Sequence, residues 1–177
     1  MSEHLIKMWS DGWGGCRGNG REENIGAYAF YLEYWVDGTL MHFKLDGENN
    51  YNTTNNIEEL KGCIEGLKAI KNKTMRTEVY LDSAYVLNGI TQWIQGWKRN
   101  NWKNSKKQDV ANKELWLELD YERNKFSNIE FKKVKGHSDN KNNNKVDSWL
   151  NCLMDRIGEW FKKIELKLNF RMWNKWE

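Results

Sequence analysis

Four acidic residues carry the first chemical signal in this sequence: Asp11, Glu59, Asp82 and Asp147. Asp11 closes the run HLIKMWSD, Asp82 closes TEVYLD, and Asp147 opens a helical pattern in KVDSWL. Glu59 follows the amide-rich stretch NYNTTNN. Strands that end in aspartate, with helices starting beside them, gather carboxylates on one rim of a sheet, where α/β folds keep their sites. Carboxylates packed at close range repel and draw protons or a cation. Hard oxygen donors of this kind suit Mg²⁺ or Mn²⁺. Each acid also has an ordinary reading: a turn for Asp11, a helix cap for Asp82, an exposed helical charge for Asp147, and a lysine-bonded border residue for Glu59.

The choice between Glu58 and Glu59 follows from helical geometry. At about 100° per residue, Ile57, Leu60, Ile64 and Leu67 form one core-facing stripe. Glu58 falls nearly opposite, beside Lys61, Glu65 and Lys68, and reads as solvated, with an N-x-x-E capping partner in Asn55. Glu59 falls at the border of the stripe, beside Cys63 and Ile70, where a carboxylate loses solvation and needs a partner.

The elements that must position these residues alternate in type. HLIKMWSD, residues 25–36 and residues 39–45 read as strands, the last two flanking Asp37-Gly38, a hairpin signal. A helix is expected near 55–71, a strand at 77–82 and a helix over 83–97. A basic, aromatic loop follows at 97–107, then a helix over 110–124 and a strand at 129–134. An asparagine-rich loop (Asn140, Lys141, Asn142, Asn143, Asn144) leads into a last helix over 145–160. Hairpins followed by alternating helices and strands argue for an α/β fold with a mixed sheet. In the tail, Ile164, Leu166, Leu168, Phe170 and Met172 alternate with period two, as in a half-buried strand.

The totals narrow the class. A chain of 177 residues allows one domain with a real core, and a net charge of +3 leaves room for a local basic patch. Three cysteines, Cys16, Cys63 and Cys152, form no C-x-x-C pair and point to a reduced, cytosolic setting. No apolar run is long enough for a membrane span, and the first residues lack the apolar core of a signal peptide. Phosphate-loop, serine-elbow and zinc-protease motifs are absent.

Several stretches together resemble the ribonuclease H type I family, in the form that carries a basic protrusion. They are SDG (10–12), TTNNIEEL (53–60), LDSAYV (81–86), GITQWIQGWKRNNWK (89–103), VANKELW (110–116) and VKGH (134–137), with Asp147 ten residues after His137. They run in family order from about residue 4 to 158. The resemblance implies a ribonuclease H-like fold: a five-stranded mixed sheet, an antiparallel meander followed by parallel strands, flanked by helices. Residues 1–160 would form the domain, with the protrusion at about 97–108 and a C-terminal strand-like extension over 161–177.

By the same resemblance, Asp11, Glu59, Asp82 and Asp147 would hold two Mg²⁺ or Mn²⁺ ions. The implied reaction is hydrolysis of the RNA strand of an RNA/DNA hybrid to 3′-hydroxyl and 5′-phosphate ends, one ion activating water and the other stabilising the leaving oxygen. His137, after a strand and before a loop, would move protons; otherwise it is an incidental loop histidine. Asn19, Asn55 and Asn56 would read the minor groove, and Cys16 would lie near the ribose path. Thr54 and Asn112 resemble a pocket for a DNA-strand phosphate, though each also fits a helix start. Trp93, Trp97, Lys98, Arg99, Trp102 and Lys103 would form the protrusion's contact with phosphate and sugar, the alternatives being a solvated loop and a core tryptophan.

The chain departs from the family pattern in three places. Its glycine loop, GWGGCRGNGREEN, is longer and proline-free, Ala84 stands where relatives often have glutamine, and Asn52 stands where a basic residue is common. Weaker hybrid contacts, partly offset by the protrusion, are the expected result. A non-catalytic hybrid-binding module and an integrase- or resolvase-type nuclease are the competing readings; the four acids weigh against the first, TTNN and TQWI against the second. A single chain working in the cytoplasm is expected, with the tail as a strand packing on its own domain or meeting a replication or reverse-transcription partner.

Overall fold

A computed structural model describes residues 2–14, 24–135 and 140–156. Cys16, Asn19, His137 and the tail strand lie outside the described residues. The sheet contains β1 (His4–Gly14), β2 (Ile25–Val36), β3 (Thr39–Tyr51), β4 (Arg76–Leu81) and β5 (Ile129–Lys133), in the order β3-β2-β1-β4-β5. β1, β2 and β3 form the antiparallel meander, and β4 and β5 add in parallel. The fold is the mixed five-stranded α/β arrangement read from the sequence.

The β2–β3 hairpin turns at Asp37 and Gly38, whose φ angles are 47° and 77°. Both lie in the left-handed region that a two-residue turn between right-twisted strands requires. Parallel β1 and β4 need a crossover, which α1 (Asn55–Ala69) supplies. Successive strand residues face opposite sides. Met8, Tyr28, Phe30 and Val79 therefore pack against Leu60, Ile64 and Leu67 of α1, in the larger core. Trp9, Ala27, Ala29 and Tyr31 face the other way, onto Val146, Leu150 and Leu153 of a helix described over 141–156, here α5.

Several boundaries differ from the sequence reading. β1 runs through Asp11 to Gly14, paired with Gly26, and β3 continues to Tyr51, paired with Ile25, because both stay on the ladder to the start of β2. The expected helix over 83–97 is α2 (Ala84–Asn88) and α3 (Ile94–Arg99) joined by a wide π-type turn, Gly89–Trp93. Gly89 lies flat against the Trp116 ring, where a Cβ would come within 1.9 Å of it. α4 (Lys113–Arg123) follows Asn112, whose φ is 58°. The asparagine-rich segment is not a loop: Asn140 Oδ1 accepts the N–H groups of Asn142 and Asn143 at 3.2 and 3.1 Å and starts α5 at residue 141. Among the described residues no helix is long and apolar enough to cross a membrane.

Candidate active site

The register of the sheet brings the first two acids together. Ser10 pairs with Leu81 across the parallel β1–β4 ladder, and Asp11 and Asp82 are the next residues along. Gly12 then brings in the third. A Cβ there would lie 2.2 Å from the Glu58 carbonyl carbon and the Glu59 nitrogen, so the first turn of α1 rests on the bare backbone of β1. Glu59 is carried beside Asp11 as a result. The fourth acid comes from α5, where buried Val146 anchors the helix under the sheet and Asp147 follows it. Asp147 sits in the second turn of this helix rather than at its start, because capping by Asn140 moves the start forward.

All four acids are half-buried and line one cavity of about 580 Å³. Asn55, Ser83 and Leu150 share its wall. Burial pushes the Asp11 carboxyl up to about 7, and the charges of Asp82, Glu59 and Asp147 add to it, against the Gly12 N–H that Asp11 accepts at 2.7 Å. Glu59 is also raised, first by burial and then by the charge of Asp82, while the hydrogen bond from Ser83 pulls it down. Such a cluster is relieved by protons or by a cation. Its hard oxygen donors fit a divalent ion of the Mg²⁺ or Mn²⁺ kind.

The carboxylates are turned towards protein donors. Glu59 accepts from the Ser83 hydroxyl, and Asp82 accepts from Asn143 Nδ2 at 3.3 Å. Among the described residues, no three Asp, Glu, His or Cys side chains already stand in a metal-holding arrangement.

The structure adds two residues that sequence reasoning missed. Ser83, not Asp82, caps α2, accepting the Val86 N–H at 3.3 Å while donating to Glu59. A serine before a helix was a legible cap, but its bond to a residue in another element was not. Asn143 is 2% exposed and sits against Asp82; reading its segment as a loop hid it. Glu58 is also corrected. It is fully buried rather than solvated, because Asn50 at the end of β3, Thr53 and the bare backbone at Gly26 of β2 close around its side chain.

The expected substrate contacts are placed as follows. Thr54 caps α1 through its side chain, which accepts the Ile57 N–H at 3.4 Å. Asn55 accepts the Gly14 N–H at 2.6 Å and reaches the acidic cavity, while Asn56 is exposed. Asn112 Nδ2 donates to the Tyr85 hydroxyl at 3.2 Å, which also accepts from Trp116 Nε1 at 3.1 Å.

In the protrusion, Trp97 and Trp102 are half-buried and packed on the main core, and Trp97 stacks edge-on with buried Trp116 at 5.2 Å. Trp93 is exposed beside them. Lys98 is paired with Asp120, and Lys103 with Asp109 at 2.8 Å. Arg99 is exposed, its Nε donating to the Gln95 carbonyl at 3.3 Å. The alternation of rings and cations thus has a structural cause as well as its surface charge.

The site is thus an acid cluster on a mixed α/β sheet, with Asp11 in β1, Asp82 just after β4, Glu59 on α1 and Asp147 on α5. The comparisons with known proteins narrow the class. RNase H matches residues 4–151. A ribonuclease H of Clostridium botulinum is 48% identical over 145 residues, covering 81% of this chain and 93% of the relative. A ribonuclease H of Hydrogenovibrio crunogenus is 40% identical over 153 residues, covering 86% and 97%. Among solved structures, LC9-RNase H1, described as a type 1 RNase H with the type 2 active-site motif, superposes with a TM-score of 0.69 at 28% identity, covering 83% of this chain and 70% of that one. The chain belongs to the RNase H family. Membership makes it a nuclease of the hydrolase class, in a family that works with divalent metal ions.

Proposed function

We propose that the protein hydrolyses the RNA strand of RNA/DNA hybrids, leaving 3′-hydroxyl and 5′-phosphate ends. Asp11, Glu59, Asp82 and Asp147 would hold two Mg²⁺ ions, or Mn²⁺ in their place. The observation that carries this reading is the shared cavity of the four acids, in which burial and the neighbouring charges drive the Asp11 carboxyl up to about 7. Bound divalent ions supply an activated water and neutralise charge at the reacting phosphate.

The chain's own groups do the rest. Asp11 would hold an ion as its deprotonated carboxylate, and Ser83 and Asn143, hydrogen-bonded to Glu59 and Asp82, would orient those two acids. His137 is assigned proton transfer by its place in VKGH, ten residues before Asp147. Thr54 and Asn112 are assigned the DNA-strand phosphate, Asn19, Asn55 and Asn56 the minor groove, and Cys16 the ribose path. The hybrid's backbone would lie against the protrusion, where Arg99 and Trp93 offer an exposed charge and an exposed ring. We place the protein in the cytoplasm as a single chain, in line with its two described cysteines, Cys63 and Cys152, both being free thiols. The tail, residues 161–177, is assigned to packing on the domain or to a replication or reverse-transcription partner.

The test is incubation with labelled RNA/DNA, RNA/RNA and DNA/DNA duplexes, with Mg²⁺ and with chelator. Cleavage of the RNA strand of the hybrid alone, abolished by chelator, is the expected outcome. Cleavage of DNA/DNA, or chelator-resistant cleavage, would overturn the proposal.

A further inference from the structure

Glu58 has no exposed surface, although it adjoins the glutamate that faces the cavity. Its carboxylate accepts from the Thr53 hydroxyl and from Asn50 Nδ2 at 2.8 Å, and Lys61 Nζ stands 3.5 Å away. A buried carboxylate is costly unless its oxygens are paired. The three donors come from three places: Asn50 from the end of β3, Thr53 from the connecting turn, and Lys61 from the next turn of α1.

These bonds bracket the segment that carries Thr54, Asn55 and Asn56. The segment begins at Asn52, held at φ 53°. On the sheet side it has no slack: a Cβ on Gly26 would lie 2.6 Å from Thr53 Cγ2 and 2.9 Å from Glu58 Cγ. On the helix side the Glu58 carboxylate ties it down. α1 itself does not depend on this bond, because Leu60, Ile64 and Leu67 are each at most 1% exposed in the main core. Removing the carboxylate would free the turn while the helix stays docked.

We propose that Glu58 is a positioning residue for substrate binding, locking the β3–α1 turn so that Thr54, Asn55 and Asn56 meet the hybrid in a fixed arrangement. The inference rests on the hybrid-cleaving function proposed above. Glu58 touches neither substrate nor metal in this account, so its loss acts on KM rather than kcat.

The experiment is steady-state cleavage of an RNA/DNA hybrid by the full chain and by E58L, E58Q and T53V, with Tm measured in parallel. E58L leaves the Thr53 hydroxyl and the Asn50 amide without their buried acceptor, and should raise KM by at least about tenfold with kcat within about threefold. E58Q should stay within about threefold of the parent in both constants, because the amide oxygen still accepts from Thr53 and Asn50 can turn its own amide to match. T53V should raise KM on its own and add little on top of E58L. If E58L does not fold, T53V decides: a raised KM supports the proposal and an unchanged KM overturns it. E58L with a lowered Tm and an unchanged KM would show a merely structural role. A fall in kcat at constant KM would tie Glu58 to the acid cluster instead. Parent protein that leaves the hybrid intact would overturn the proposed function and this inference with it; parent protein that cleaves while E58L and T53V both keep its KM would overturn this inference alone.

Discussion

The acidic rim and the basic protrusion handle charge in opposite ways. At the rim, Asp11, Glu59, Asp82 and Asp147 share one cavity, and burial and mutual repulsion push Asp11 up to about 7. In the protrusion, Lys98 and Lys103 each have an aspartate partner, and Trp97 and Trp102 are rooted on the core. The first arrangement is unfavourable for the fold taken alone; the second helps to hold it. Like charges kept together at a cost to stability are the stronger sign of chemistry. A run of cations is weaker evidence, since distant acids can neutralise it.

The largest expected effect breaks the rim. D11N should cut kcat by at least about 10³-fold, equivalent to about 4 kcal/mol of transition-state stabilisation, while the hybrid still binds in a shift assay. Full activity in that variant would remove Asp11 from the mechanism.

The raised Asp11 group gives the next effect, with opposite signs with and without metal. Its folded value, about 7, lies above the ordinary carboxyl value of 3.8. The metal-free protein therefore has the full contribution of this group only below about 3.8 and loses it as pH rises from there through about 7. D11N should escape that loss and be more stable than the parent at pH 8 without metal, by on the order of 2 kcal/mol. Metal binding requires the carboxylate, so affinity should climb with pH and level off above about 7. Calorimetric titration at pH 6 and pH 8 checks the second point, and a flat affinity would count against Asp11 as a ligand.

The protrusion should respond less. K98A leaves buried Asp120 without its lysine and should cost about 1–2 kcal/mol in thermal unfolding, whereas R99A should cost almost nothing. Binding should show the reverse. Because Lys98 and Lys103 are already paired, replacing Lys98, Arg99 and Lys103 together should reduce the salt slope by about one phosphate contact rather than three. A loss of three would mean that the ion pairs open on the hybrid.

The sequence exposed the frame of this comparison better than its detail. Asp37-Gly38 announced the hairpin, and aspartates at the ends of two apolar runs announced the rim. Glu58 is buried because Asn50, Thr53 and Gly26 close around it, and a helical stripe accounts for one packing surface only. The asparagines at 140–144 looked like a loop because their composition favours turns, yet Asn140 uses the same amide chemistry to start a helix. The Lys98–Asp120 pair joins residues 22 apart through the packing of α3 and α4, which no local pattern records. The bond from Ser83 to Glu59 was hidden for the same reason, being made across two elements.

Anomalous diffraction from crystals of the full chain, grown with an uncleavable RNA/DNA hybrid and soaked in Mn²⁺, gives the most direct reading of the rim. Two peaks about 4 Å apart, bounded by oxygens of Asp11, Glu59, Asp82 and Asp147, are expected. Peaks elsewhere on the molecule, or a rim that stays empty of Mn²⁺ with Glu59 still bonded to Ser83, would contradict it.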